Sequence, residues 1–267
     1  MISKASPRIV GGESAKRAEL LWHVGIYDKT TTPYQQICGG SLVSTTVVIS
    51  AASCFWDGST RNAKPAANYA VAVDKLYRPW NDSRDENAQK SDVTDILIPR
   101  LFLGTDNHFQ EDIAILFLKT AFKYTTYVRP VCLDFDPSFE GQQLQTNHLG
   151  KVAGWGLTSA NGVASKVLKV VELPYIDDNT CIKTMPASFR PYLTEDKFCA
   201  GYTNGTALCI GDSGGGLAFP DNSQGVQRYY LRGIVSTAPS EGDLCNAHTY
   251  TAFTKISKHE QFITGYL

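Results

Sequence analysis

A nucleophilic serine is the first chemistry that the residue pattern suggests, in the segment CIGDSGGGL at residues 209–217. A serine nucleophile must lie on a tight turn so that its Oγ projects, and Gly211 and Gly214 permit that backbone because they have no Cβ. Backbone N–H groups on such a turn can face the oxyanion that forms when Ser213 attacks a carbonyl carbon. An ordinary glycine-rich turn is the alternative, and the complete string argues against it.

The elements that must position this serine are predicted to be strands. Short apolar runs, many of them β-branched and alternating, recur between Gly, Pro and Asn residues along the chain. Regular short strands of this kind are typical of a β-sandwich or a β-barrel. Two segments are predicted to be helical instead: DDNTCIKTM at 177–185, which Asp177 or Asp178 could cap, and the tail SKHEQFITGYL at 257–267.

Composition excludes several classes of function. The chain has 267 residues, of which 43% are hydrophobic, and this is enough to build a core in one or two domains. A formal net charge of −1, with no long run of one sign, indicates neither a nucleic acid nor an anionic membrane as partner. The sequence has no long apolar stretch that predicts a transmembrane helix, and residues 1–8 lack the apolar core of a signal peptide.

The cysteines leave two interpretations open. They lie at positions 38, 54, 132, 181, 199, 209 and 245. They form no CxxC pairs, which argues against a zinc site. They are either buried free thiols of a cytosolic protein, or three disulfides with one cysteine left over, and the second case would imply an oxidising compartment.

The polar and charged segment at residues 74–95 is predicted to be a surface loop. Its acidic residues Asp82, Asp85 and Glu86 could bind calcium, although a solvated loop without an ion is the favoured interpretation. The sequence indicates no other cofactor and no other metal.

Seven motifs in a fixed order resemble those of chymotrypsin-like serine protease domains. They are RIVGG at 8–12, CGGSLV at 38–43, ISAASC at 49–54, DIAIL at 112–116, VAGWG at 152–156, GDSGG at 211–215 and GIVS at 233–236. The resemblance implies an all-β fold of two packed six-stranded antiparallel β-barrels with a C-terminal helix and the active site between the barrels. It also implies a protease domain at 9–267, with a boundary between the barrels near 125–150, preceded at 1–8 by the end of a propeptide.

Carried over to this sequence, the resemblance makes Ser213 the nucleophile and Asp112 the buried carboxylate that orients a histidine. The N–H groups of Gly211 and Ser213 would form the oxyanion hole. Ser53 occupies the position of the general-base histidine, and a serine hydroxyl cannot accept a proton at neutral pH as an imidazole can. Loss of a triad member costs about 10⁴–10⁶-fold in kcat in other serine proteases, so this chain is predicted to be inactive.

Two explanations are compatible with a serine at position 53. One is the replacement of a histidine in an otherwise intact enzyme, by deliberate mutation or by recent loss. The other is a natural protease homologue that binds partners without cleaving them. Asp112, Asp212 and Ser213 are all retained, together with the activation junction, and this favours the first explanation.

The family pattern also assigns the cysteines. It pairs Cys38 with Cys54, Cys181 with Cys199 and Cys209 with Cys245, which implies a secreted, extracellular protein. Cys132 is left over, and in related proteases the cysteine at this position bonds to an N-terminal regulatory chain. The expected partners are therefore that chain and a protein substrate. Within the family, the sequence most resembles modular serine proteases of insect haemolymph, which start immune cascades. The expected substrate is a downstream protease zymogen.

The resemblance further predicts an activation site and a substrate pocket. Cleavage between Arg8 and Ile9 would release an α-ammonium group that pairs with Asp212 and orders the oxyanion turn, and Asp212 lacks this partner until the cut is made. The pocket residues are Ala207 at the base, Ser236 and Ala238 on the wall, and His248 near the position of a family glycine. An uncharged base favours an apolar side chain before the scissile bond, because an unpaired cation is unfavourable to bury.

Overall fold

The computed structural model describes residues 13–156, 163–205, 207–209, 211–223, 225–236, 245 and 248–267. Its strands are β1 Glu13–Ser14, β2 His23–Asp28, β3 Gln35–Leu42, β4 Val47–Ser50, β5 Trp56–Asp57, β6 Asn62–Ala63, β7 Tyr69–Val73, β8 Gln89–Leu97, β9 Ala114–Leu118, β10 Leu149–Gly154, β11 Lys169–Ile176, β12 Lys197–Ala200, β13 Gly216–Asp221, β14 Arg228–Val235 and β15 Thr251–Lys255.

The α-helices of the described residues are short, and two of the three begin at a side-chain cap. They are α1 Pro137–Gln143, α2 Asp178–Thr184 and α3 Glu260–Thr264. Asp136 caps α1 by accepting from two backbone N–H groups, and Asp177 caps α2 in the same way through Thr180 N, because the first N–H groups of a helix have no partner inside it. None of these helices has the length and apolar character needed to cross a membrane.

Six strands of the N-terminal half close into a barrel in the order β2-β3-β4-β9-β8-β7, with antiparallel neighbours throughout. The apolar, β-branched residues of these strands fill its interior. In β4 all four residues, Val47–Ser50, are buried, and in β7 all five residues, Tyr69–Val73, are buried. β4 and β7 are therefore covered on both faces, whereas β8 has buried residues between more exposed ones and turns one face toward the shared core.

The C-terminal half forms the second barrel, in the order β11-β10-β13-β14-β15-β12, and the pairing of β11 with β12 closes it. The short strand β1 adds to its β11 edge. A separate core cluster fills the barrel, and Phe198, Phe219 and Phe253 are among its largest members. Two closed antiparallel barrels and a C-terminal helix match the predicted chymotrypsin-like fold.

The structure contains three disulfides, Cys38–Cys54, Cys181–Cys199 and Cys209–Cys245. The first joins β3 to a 3₁₀ turn at Ala52–Cys54, and the second joins α2 to β12. The third joins two segments outside the strands, at Cys209 and Cys245. Such crosslinks restrict the unfolded chain more than the folded one.

The prediction of a surface loop is wrong for residues 89–95. These residues belong to β8, which pairs with β7 on one side and β9 on the other. Ser91, Val93 and Ile96 are buried, whereas several of the residues between them face outward and are polar. One solvated face of an antiparallel strand allows such a polar composition, and this misled the interpretation of the sequence.

The remaining part of that segment does not fit a calcium ion. The buried Asp85 carboxylate accepts from Lys75 Nζ at 2.9 Å, from Leu76 N at 2.9 Å and from Tyr77 N at 3.1 Å. Asp82 pairs with Arg84, Glu86 is exposed, and the described residues contain no group of three or more His, Cys, Asp or Glu side chains suited to a metal. Nitrogen donors therefore occupy the oxygens of Asp85 that a calcium ion would need.

Chelation is accordingly expected to leave the protein unaffected. EDTA should change the midpoint of thermal unfolding by less than about 1 °C, whereas Lys75→Met should lower the free energy of unfolding by roughly 3 kcal/mol, because Asp85 would stay buried without its cation. Arg84→Met, which removes the exposed partner of Asp82, should cost less than about 1 kcal/mol. A clear drop in the midpoint with EDTA, measured by circular dichroism, would refute this view of the segment.

Candidate active site

Ser53 and Asp112 are in direct contact. Ser53 lies in the 3₁₀ turn that follows β4, and Asp112 lies just before β9, the strand next to β4 in the barrel. Ser53 N donates to Asp112 Oδ1 at 2.8 Å, and Ser53 Oγ donates to Asp112 Oδ2 at 3.1 Å. The carboxylate is fully buried. A side chain at position 53 is therefore placed to interact with this carboxylate.

The C-terminal barrel also contacts Asp112. Ser236 Oγ donates to Asp112 Oδ2 at 2.6 Å, and Thr254 Oγ1 donates to the Asp112 carbonyl oxygen at 3.0 Å. Ser236 was predicted to line the substrate pocket, and its contact with the carboxylate was not expected from the sequence. The motif GIVS singled out Ser236, but nothing in the sequence pointed to Thr254.

The turn that carries Ser213 depends on its glycines. Gly211 has φ +100° and Gly214 has φ +80°, which residues with a Cβ rarely adopt. A Cβ on Gly214 would also collide with Ser50 Oγ and the Gly39 carbonyl oxygen. Gly39 N donates to the Ser213 carbonyl at 2.8 Å, so the turn is held against β3 of the other barrel.

Two backbone donors of this turn have no acceptor among the described residues. The N–H groups of Gly211 and Ser213 donate to no residue that the structure describes. The Gly211 carbonyl, in contrast, accepts from Gln36 Nε2 at 3.0 Å, and the same amide also donates to the Cys38 carbonyl. Gln36 therefore supports the turn from β3, and no feature of the sequence pointed to this contact.

Asp212, between these residues, is fully buried. Its carboxylate accepts from Gly156 N at 2.8 Å and from Cys209 N at 2.9 Å. Burial raises the pKa of Asp212 to about 6, although the two backbone donors favour the charged form. Both of the donors that the described residues supply to this buried carboxylate are backbone N–H groups, and such a carboxylate is suited to receive a cation.

The nucleophile turn, the buried aspartate beside position 53 and the two barrels agree with the sequence comparisons. A profile of the family described as Trypsin matches residues 9–263. The chain belongs to the trypsin family.

Relatives of this trypsin-family chain include two proteins named as a clotting factor and one named as a modular serine protease. It is 33% identical over 272 residues to "Clotting factor C" of Tachypleus tridentatus and to "Limulus clotting factor C" of Carcinoscorpius rotundicauda, covering 99% of this chain and 26% of each relative. It is 31% identical over 260 residues to "Modular serine protease" of Drosophila melanogaster, covering 95% of this chain and 39% of the relative. The chain thus spans less than half the length of these relatives.

The predicted pocket residues of this trypsin-family chain fall in different places. Ala207 is buried in a small cluster with the disulfide of Cys209 and Cys245, and His248 is exposed. Ala238 lies outside the described residues, as do Arg8 and Ile9 of the predicted activation junction.

Cys132 has no disulfide partner and is partly exposed. Its backbone N–H donates to the Tyr229 carbonyl at 2.9 Å, which holds the segment against β14 of the second barrel. Burial raises the pKa of its thiol. Cys132 belongs to neither of the two main core clusters.

The raised pKa of Asp212 predicts a pH-dependent stability for the chain that is uncleaved at Arg8. Because the folded state holds the proton more tightly, this stabilisation is complete below pH about 4 and is lost as pH rises through about 6. A rise of about two pKa units corresponds to roughly 3 kcal/mol. Urea unfolding of the parent and of Asp212→Asn should therefore give free energies that agree below pH about 4, separate as pH rises to about 6 and stay apart above it, with the asparagine variant more stable there. Parallel pH profiles would contradict the assignment.

Proposed function

We propose that this chain is the protease domain of a secreted serine endopeptidase zymogen in a proteolytic cascade of innate immunity. Cleavage after Arg8 activates the domain, and Ser53 leaves this particular sequence inactive. The environment of Asp112 supports the proposal most strongly. Asp112 accepts hydrogen bonds from Ser236 and Thr254, and its carboxylate contacts residue 53. The relatives, named as a clotting factor and a modular protease, support the cascade role.

The proposed reaction is acyl transfer at Ser213. Its Oγ attacks the carbonyl carbon of the scissile bond, and the N–H groups of Gly211 and Ser213 stabilise the oxyanion. A base at position 53 must take the hydroxyl proton and then give it to the leaving amine, while Asp112 holds that base and stabilises its charged form. The hydroxyl of Ser53 instead donates to Asp112 and offers no basic nitrogen, so the first proton transfer has no acceptor.

Activation is proposed to act through Asp212. The α-ammonium of Ile9, formed by cleavage after Arg8, would pair with this buried carboxylate and remove the cost of charging it. Because Asp212 lies between the two oxyanion donors, the pair would also stabilise the turn. The neutral Ala207 at the predicted pocket base implies that a different protease, specific for basic residues, makes this cut.

An N-terminal regulatory chain is the proposed partner of Cys132. The sulfur is partly exposed and has no disulfide partner, whereas the other six cysteines are paired. Three disulfides are typical of oxidising compartments, which supports an extracellular location. A protein substrate, a downstream protease zymogen, is proposed for the cleft between the barrels.

A second candidate function is a non-catalytic cascade cofactor that binds partners through the same fold. The contact of Ser53 with Asp112 favours it, because both hydrogen-bonding groups of this serine satisfy the buried carboxylate. A stable site of this kind needs no histidine to remain folded.

The substrate preference gives a direct test of the endopeptidase proposal. After cleavage at Arg8, the Ser53→His variant should hydrolyse peptides with Leu or Phe before the scissile bond at least roughly tenfold faster than matched Arg peptides, because a neutral pocket cannot pair a buried cation. Ala207→Asp should reverse the order. Equal or faster cleavage of Arg peptides would refute the pocket assignment, and no cleavage of any peptide would favour the cofactor function.

A further inference from the structure

The backbone immediately before Asp112 is strained. His108, Phe109 and Glu111 have φ of +56°, +57° and +60°, and they make up three of the seven non-glycine residues with positive φ in the described part of the chain. The left-handed conformation is unfavourable for residues with a Cβ. Such strain persists only where surrounding contacts hold the backbone in place, so contacts around residues 108–111 must stabilise this conformation.

Contacts from the C-terminal barrel hold this segment at three points. Lys197 Nζ donates to the Phe109 carbonyl at 2.6 Å, and Glu111 N donates to Asp196 Oδ2 at 2.8 Å. Thr254 supplies the third contact, to the Asp112 carbonyl oxygen. Lys197 and Thr254 are paired across the β12–β15 ladder, and Asp196 directly precedes Lys197. The same part of the C-terminal barrel therefore positions all three side chains.

The two charged residues of this group are buried and satisfied. Asp196 also accepts from Thr194 Oγ1 at 2.6 Å and lies 3.0 Å from His259 Nε2 and 3.7 Å from Lys197 Nζ. Burial alone would raise the pKa of Asp196, but the hydrogen bond with His259 and the charge of Lys197 lower it below its usual range. Burial lowers the pKa of Lys197, while the charge of Asp196 raises it. Both side chains make hydrogen bonds within this group, which suits the pair to hold a backbone in place.

We propose that Asp196, Lys197 and Thr254, here called the clamp residues, position Asp112 for catalysis by holding residues 108–111 in their strained conformation against the C-terminal barrel. The clamp residues bind no substrate and are positioning residues. They act on the carboxylate through the backbone that precedes it, while Ser236 contacts its side chain directly. The proposal rests on the proposed function, because it takes Asp112 as the catalytic carboxylate.

The hydrogen bond from Ser53 N to Asp112 Oδ1 allows a test in the chain as it exists. Amide hydrogen exchange and the ¹H shift of the Ser53 N–H, measured by NMR, report whether the carboxylate is in place. We expect Lys197→Met to speed exchange at Ser53 roughly tenfold and to move its shift upfield, because release of the strained segment lets Asp112 withdraw. Thr254→Val, which keeps the side-chain volume, should act in the same direction.

Lys75→Met is the matched control. Lys75 and Lys197 both have side chains that are 1% exposed and both pair with an aspartate, but Lys75 makes no contact with residues 108–112 in the described structure. A general loss of stability would affect both variants equally. If Ser53 exchange changes to the same extent in Lys75→Met and Lys197→Met, or changes in neither, the positioning role is refuted.

A kinetic arm separates this proposal from the proposed function. In the cleaved Ser53→His background, Lys197→Met should lower kcat roughly tenfold and leave KM within about twofold, while Lys75→Met should change neither. If cleaved Ser53→His is active and neither lysine substitution changes its kcat, the clamp proposal is overturned but the endopeptidase proposal is not. If cleaved Ser53→His is inactive but Lys197→Met still speeds amide exchange at Ser53, the endopeptidase proposal is overturned and the positioning of Asp112 remains supported.

Discussion

Replacement of Ser53 by histidine is expected to raise the rate of peptide or ester hydrolysis at least roughly 10³-fold after cleavage at Arg8, given the cost of losing a triad base in other serine proteases. The physical reason is that Asp112 already faces position 53 and is held by Ser236. One ring nitrogen of the introduced imidazole would donate to this carboxylate, which fixes the tautomer and leaves the other nitrogen to take the Ser213 proton.

The measurement compares cleaved Ser53→His with the cleaved parent, with an active-site titrant to count reactive serines. Ser53→Ala should stay as slow as the parent, because it supplies no base, and Ser213→Ala in the histidine background should abolish titration. A Ser53→His variant that folds and is cleaved but has no titratable serine would favour the binding cofactor over the enzyme.

Asp212→Asn is expected to lower the activity of cleaved Ser53→His by roughly 10²–10³-fold. The buried carboxylate is the proposed partner of the Ile9 α-ammonium, and an uncompensated buried charge costs about 3–5 kcal/mol. Without its partner the ammonium would remain in solvent, and the oxyanion turn of Gly211 and Ser213 would lose its support.

The accessibility of the new N-terminus tests the same prediction without relying on catalysis. Cyanate should carbamylate Ile9 more rapidly in Asp212→Asn than in the cleaved parent, because a paired, buried ammonium is protected. Asp106→Asn is the control, since Asp106 pairs with Arg61 at the surface and should change neither the activity nor the labelling rate. Full activity in Asp212→Asn would refute the proposed activation mechanism.

Local features of the sequence predicted local structure well. Asp177 was one of two candidate caps and begins α2, and Gly211 and Gly214 adopt the positive φ values that a projecting serine requires. Caps and turns are determined by neighbouring residues, so their chemistry is visible in a short stretch of sequence. The polar segment at 89–95 was misjudged because the outward face of a barrel strand has the composition of a loop.

The sequence by itself determined the fold, through its ordered motifs and alternating apolar runs, and the identity of the residue at position 53. Only the tertiary structure revealed how Asp112 is held. Its contacts come from Ser236, 124 residues away, and from Thr254, 142 residues away. Lys197 binds the Phe109 carbonyl oxygen, 88 residues away, and so holds the segment before Asp112. Single hydrogen bonds between distant residues leave no periodic pattern in the sequence, and the closure and packing of two barrels is what brings such partners together.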